Sequence, residues 1–241
     1  MKILALECSA TPASCAVMED GKIISEAFVN VKLTHSQTLL PMVEQTLKSA
    51  KLTVKDIDGF AIAAGPGSFT GVRIGISAVK GLAAAEKKPC APVSTLLAMA
   101  HRLSHLNTVV CAVMDARCNQ VYNALFKCEN GKVTRLCEDR ALMAAQLAEE
   151  VATLYNKYSL PVTIIGDGAD MFSQYVSDIS FVALAEETLR YQHAVGVALA
   201  AREMFEENNT VTPAELLPFY LRLPQAEREL KANGNRTRHA R

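Results

Sequence analysis

A chain of 241 residues, half of them apolar, can bury a sizeable core in one large domain or two lobes, and it falls outside the disordered class. Lysine plus arginine and aspartate plus glutamate both number 25, so the net charge is zero. That argues against a protein that grips nucleic acid by itself, and any RNA contact should be local or shared with a partner.

In chain order, residues 3–7, 15–19 and 23–29 read as three short strands, and Asp20-Gly21 between apolar segments is a hairpin signal. Leu39, Leu40, Val43, Leu47 and Ala50 then follow a helical period. Pro41 fits best if that helix begins near Ser36 or Thr38. Residues 59–64 form a buried strand, followed by a glycine-rich turn and a long helix over 71–87 with two stripes. One stripe is Val72, Ile76, Val79 and Ala83; the other is Ile74, Ala78, Gly81 and Ala85, mostly small residues suited to close helix contact.

The second half repeats this order. Strands over 109–114, 121–127 and 132–136, the last turned by Asn130-Gly131, lead to a helix over 143–155. A strand over 162–165, a second glycine turn at Gly166 and Gly168, and a helix over 194–207 follow. The repeat predicts two related α/β lobes facing each other across a cleft, residues 1–106 and 107–224. The last helix is a candidate to pack back on the first lobe, and residues 225–241 read as a flexible basic tail. The seven cysteines include no C-x-x-C pair and read as reduced core residues of a cytoplasmic protein. The first residues do not resemble a signal peptide, and no apolar run of about 18 residues predicts a membrane span.

The turn at Gly65, Pro66, Gly67, Ser68 and Gly71, between a strand and a helix start, suits a phosphate or carboxylate at the helix N-terminus. It matches neither standard phosphate motif. Gly71 is followed by Val72 and Arg73 rather than Lys-Ser/Thr, and one residue too many separates Gly67 from Gly71 for the dinucleotide fingerprint. Spacing alone leaves open an anion cradle and a tight helix-on-sheet connection.

Four separated motifs in order, the HS of Thr34-His35-Ser36 with LLP behind it, GPGSFTGVRIG, VMDAR at 113–117 and FYLR at 219–222, resemble the TsaB (YeaZ-like) family from Met1 to about Arg222. The resemblance implies a two-lobed actin-like ATPase fold of the ribonuclease H type, each lobe a mixed sheet with helices. It implies a part in making threonylcarbamoyladenosine in tRNA, as partner of the catalytic paralogue TsaD and of the ATPase TsaE, with tRNA met only through the complex. A homodimer is expected when the chain is alone. In TsaD two histidines four apart hold a metal; Thr95 and Met99 stand in their places here, and neither is a credible ligand. His101 and His105 share the spacing but lack an acidic third ligand and read as solvated histidines on a helix surface.

Actin-like ATPases open with an aspartate and a glycine-rich hairpin, whereas this chain has Glu7-Cys8-Ser9-Ala10-Thr11. Efficient hydrolysis is therefore not expected and no cofactor is required; weak ATP or ADP binding would use Glu7, Ser9, Thr11, Gly65, Gly67, Ser68, Gly166 and Gly168. The expected activity is that of a scaffold, docking through Leu39, Met42, Val43, Thr46, Ile74, Ala78 and Gly81 as half of a four-helix contact. The alternatives are an actin-like ATPase or small-molecule kinase and, remotely, a peptidase, although Gly67-Ser68-Phe69 is no nucleophile elbow.

Overall fold

The computed structural model describes residues 1–222, and the basic tail expected over 225–241 lies outside them. Strands β1 (Lys2–Glu7), β2 (Ala13–Glu19) and β3 (Lys22–Val29) form a meander, continued by helix α1 (His35–Ser49), β4 (Gly59–Gly65), α2 (Phe69–Glu86), β5 (Cys90–Ser94) and α3 (Thr95–His101). The second series is β6 (Thr108–Asp115), β7 (Gln120–Glu129), β8 (Lys132–Arg135), β9 (Arg140–Met143), α4 (Ala144–Tyr158), β10 (Val162–Ile165), α5 (Ala169–Ser173), β11 (Val182–Leu184), α6 (Glu187–Arg190) and α7 (Ala194–Glu206).

Both hairpins turn as their residues dictate. Asp20 and Gly21 have φ of 49° and 83°, Asn130 and Gly131 of 53° and 78°, the paired left-handed conformation that matches strand twist. The sheets have one topology used twice, β3-β2-β1-β4-β5 and β8-β7-β6-β10-β11, with β9 added beside β7. In each, the central strand is antiparallel to its hairpin partner and parallel to the strand that precedes the glycine turn. This is the two-lobed actin-like fold that the resemblance implies.

Alternation along β1 divides the first core. Leu4 and Leu6 point toward α1 and α2, Ile3 and Ala5 toward α7. The second sheet is covered by α4 and α5 on one face and by α3 on the other. Each lobe therefore borrows a helix: α3 follows the first sheet but packs on the second, and α7 follows the second but packs on the first. Arg102, just past α3, reinforces the exchange by donating to the carbonyls of Leu189 and Tyr191.

Helix α1 begins at His35, one residue from the expected start near Ser36, with Pro41 on its exposed side. Two local expectations are corrected. Cys118 is exposed and Cys137 partly so, while the other five cysteines are buried. His101 is only 5% exposed at the end of α3, with Glu203 3.9 Å away, and His105 lies beyond the helix. Among the described residues no helix is long and apolar enough to cross a membrane.

Candidate functional site

A cleft of about 710 Å³ opens between the lobes where the central strands β1 and β6 end. Ser9, Thr11, Gly67 and Ser68 line it from the first lobe, Asp115, Arg117 and Asp167 from the second. Residues 219–222 form a further wall.

The glycines of the two turns are packed closely against neighbouring backbone. A Cβ on Gly67 would stand 2.5 Å from the carbonyl oxygen of Ser9, and one on Gly71 would collide with the carbonyl oxygen of Cys8. Ser68 N donates to the Ser9 carbonyl at 2.6 Å, and the Gly71 amide is taken by the capping Ser68 hydroxyl at 3.3 Å. The close backbone approach those glycines allow is thus taken up by Cys8 and Ser9, just past the end of β1. The second lobe repeats the arrangement: a Cβ on Gly166 would collide with the Val113 carbonyl, and one on Gly168 would stand 2.9 Å from Asp115 N, both at the end of β6. Gly65 and Gly166, at φ of 125° and 119°, are in conformations other residues rarely adopt. Gly65 faces the Phe219 carbonyl rather than the cleft.

Two carboxyl groups lie at the cleft floor. Glu7 is fully buried; its Oε1 accepts from Ser9 N at 2.6 Å, while Oε2 and the Ser9 hydroxyl have no partner among the described residues. Burial, opposed by hydrogen bonding from Ser9 N, pushes its pKa up to about 7. Asp167 is raised to about 6, again chiefly by burial, although Gln192 Nε2 donates to it at 2.7 Å. Above them Asp115 accepts from Arg117 N at 2.7 Å and pairs with its guanidinium at 3.3 Å, so this acid caps its own turn. His35 Nε2 donates to the Ala10 carbonyl at 2.8 Å and ties the start of α1 to the loop after β1.

Of the nucleotide-site residues expected from sequence, Ser9, Thr11, Gly67 and Ser68 line the cleft and Glu7 underlies it; Gly65, Gly166 and Gly168 are absorbed by backbone packing. Thr95 and Met99 are buried in the chain's interior, Met99 in the core of the second lobe. Four of the expected docking residues need correction. Leu39, Met42, Val43 and Thr46 are each at most 7% exposed, because that stripe of α1 is the one laid on the first sheet, where the Thr46 carbonyl accepts from Ser25. Of the apolar residues weighed for docking, Gly81 is on the surface and Ile74 and Ala78 partly so, while α1 also exposes Leu40. Asp167 and Tyr220 were missed, although each sits inside a segment the sequence singles out, the second glycine turn and FYLR.

Comparison with known proteins agrees with these features. Residues 25–230 match the family model described as TsaD: tRNA N6-adenosine threonylcarbamoyltransferase. Over nearly their whole length, the tRNA threonylcarbamoyladenosine biosynthesis protein TsaB of Escherichia coli is 32% identical (92% of this chain, 95% of the relative) and that of Bacillus subtilis 29% (94% and 96%). The structure of YeaZ from Pseudomonas aeruginosa superimposes with a TM-score of 0.78 at 28% identity, over 91% of this chain and 99% of that one. With a full-length match to TsaB proteins and the same two-lobed structure, this chain belongs to the TsaB (YeaZ) family of tRNA threonylcarbamoyladenosine biosynthesis proteins.

Proposed function

We propose that the chain is a non-catalytic scaffold and activator subunit in threonylcarbamoyladenosine modification of tRNA, acting in the cytoplasm. In this reading it pairs with the catalytic paralogue TsaD through the exposed face of α2, helps recruit the ATPase TsaE, meets tRNA through the complex and forms a homodimer when alone. The supporting observation is that the space beside Gly67 and Gly71 is taken by the carbonyls of Ser9 and Cys8, so these glycines serve the packing of α2 on the end of β1. No cofactor is needed, and ATP or ADP would bind weakly. Reconstitution with TsaD, TsaE, threonylcarbamoyl-adenylate and tRNA tests this directly. Modification should be fast only when this chain is added, and an equal rate without it overturns the reading.

One observation favours a second reading. Among the described residues the hydroxyl of Ser9, which lines the cleft, and the Oε2 of Glu7 beneath it are unpartnered, which suits a small polar ligand such as an actin-like ATPase or kinase would require. Turnover of ATP by the purified chain at about 1 per second would put that reading first.

A further inference from the structure

Residues 216–222 cross from the first lobe to the second over the mouth of the cleft. We propose that they are a releasable strap closing it, and that Arg73 ties this strap to the exposed face of α2. The inference goes beyond the scaffold reading and does not depend on it.

The segment has a firm root and a lightly held free run. Upstream, Val211 and Cys90 exchange backbone hydrogen bonds at 2.8 Å, and Leu216 is fully buried in the first lobe's core. Beyond Leu216 the apolar side chains are turned outward: Leu217 is 67% exposed, Phe219 47% and Tyr220 38%. Among the described residues, burial therefore anchors the strap at its Leu216 end. The rest is held by directed contacts. Phe219 N donates to the Ala64 carbonyl at 2.7 Å, and Arg222 donates to the Ala116 carbonyl at 2.8 Å, the latch on the second lobe. Gly65 serves this seat, since any side chain there would collide with the Phe219 carbonyl.

The strap also separates two spaces. Phe219 lines both the cleft and a second cavity of about 500 Å³ beside Pro92, Ser94 and Asp139. Lifting residues 217–222 would join them into one interlobe trough. The link to α2 is Tyr220, whose ring stacks on Phe69 at 4.8 Å and whose hydroxyl accepts from Arg73 Nε at 2.8 Å. The Arg73 guanidinium lies 3.7 Å over the same Phe69 ring and is itself exposed on α2, so contact with that helix face reaches the strap through one side chain.

Hydrogen exchange at the Phe219 amide of the full chain reads strap opening without disturbing the fold. Arg222→Ala and Arg73→Ala should each speed that exchange about tenfold or more, leaving the thermal midpoint and the amides of β1 and β4 unchanged. Arg222→Lys, which keeps a donor, should recover most of the protection. Exchange within about twofold of the parent in Arg222→Ala would overturn the strap. So would faster exchange that comes only with faster exchange of the central strands, because the segment would then be part of the cooperative core. A response to Arg222→Ala but not to Arg73→Ala would overturn the coupling to α2.

Discussion

The carbonyl oxygen of Cys8 lies where a side chain on Gly71 would begin, and the Cys8 thiol donates back to the Gly71 carbonyl at 3.2 Å. The end of β1 and the first turn of α2 are one packed unit. Gly71→Ala should therefore destabilise the chain: the alanine regains about 1 kcal/mol of helix propensity, but intrusion into a packed contact costs about 1–3 kcal/mol. Gly81 is the control, because a Cβ there meets nothing within 4 Å among the described residues. Urea unfolding should show a lower midpoint for Gly71→Ala and a raised one for Gly81→Ala. A neutral Gly71→Ala would mean that the turn has slack for a ligand after all.

Glu7 sets an alkaline limb to stability. Its folded pKa of about 7 lies above the ordinary 4.5, so between these values the native state holds a proton that the unfolded chain does not. The stabilisation is present below 4.5 and is lost as pH rises through 7. Asp167 acts in the same sense between 3.8 and about 6. Glu7→Gln cannot ionise and keeps an acceptor for Ser9 N. It should exceed the parent at pH 8 by up to about 3 kcal/mol and match it near pH 4. Parallel stability curves for the two proteins would show that Glu7 is not the titrating group.

Two histidines supply the opposite limb. Burial holds His101 and His193 down at about 4, against an ordinary 6.5, so the unfolded chain binds more protons across that interval. Their contribution is full above 6.5 and is lost as pH falls toward 4. His193 also caps α7, its Nδ1 accepting from Val195 N at 3.2 Å, and it stacks on Phe28. His193→Asn retains a capping acceptor without a titrating ring. Its baseline stability should fall with the lost stacking, but its decline between pH 6.5 and 4.5 should be shallower than the parent's. Identical slopes would assign the acid limb elsewhere.

Local rules made the meanders and the glycine turns readable, because Asp20-Gly21 and Asn130-Gly131 specify their turns within two residues. What sequence could not supply is which face of a helix meets the sheet when both faces carry apolar residues. On α1, Leu39 and Leu40 are equivalent to a propensity argument, yet one is 1% exposed and the other 51%. At the glycine loop close approach was legible, but the backbone that comes close, that of Cys8 and Ser9, is some sixty residues away in sequence. His101 is a third case, buried by α7 from the far end of the chain.

Docking through α2 has a cleaner probe than a substitution at Ala78. Ala78 is partly buried against the first core, so a bulky replacement there would mix lost stability with lost contact. Gly81 is exposed, has open space for a side chain and lies one turn along the same stripe. Gly81→Arg should gain helix propensity, leaving the isolated fold at least as stable as the parent. If TsaD packs its own helices closely against this stripe, an arginine at the contact holds the helices apart and buries an unpaired charge, which costs several kcal/mol. Co-purification with TsaD should then fall by about a hundredfold or more, since each 1.4 kcal/mol is a factor of ten in affinity. Full retention by a folded Gly81→Arg would place the docking surface on another face of the molecule.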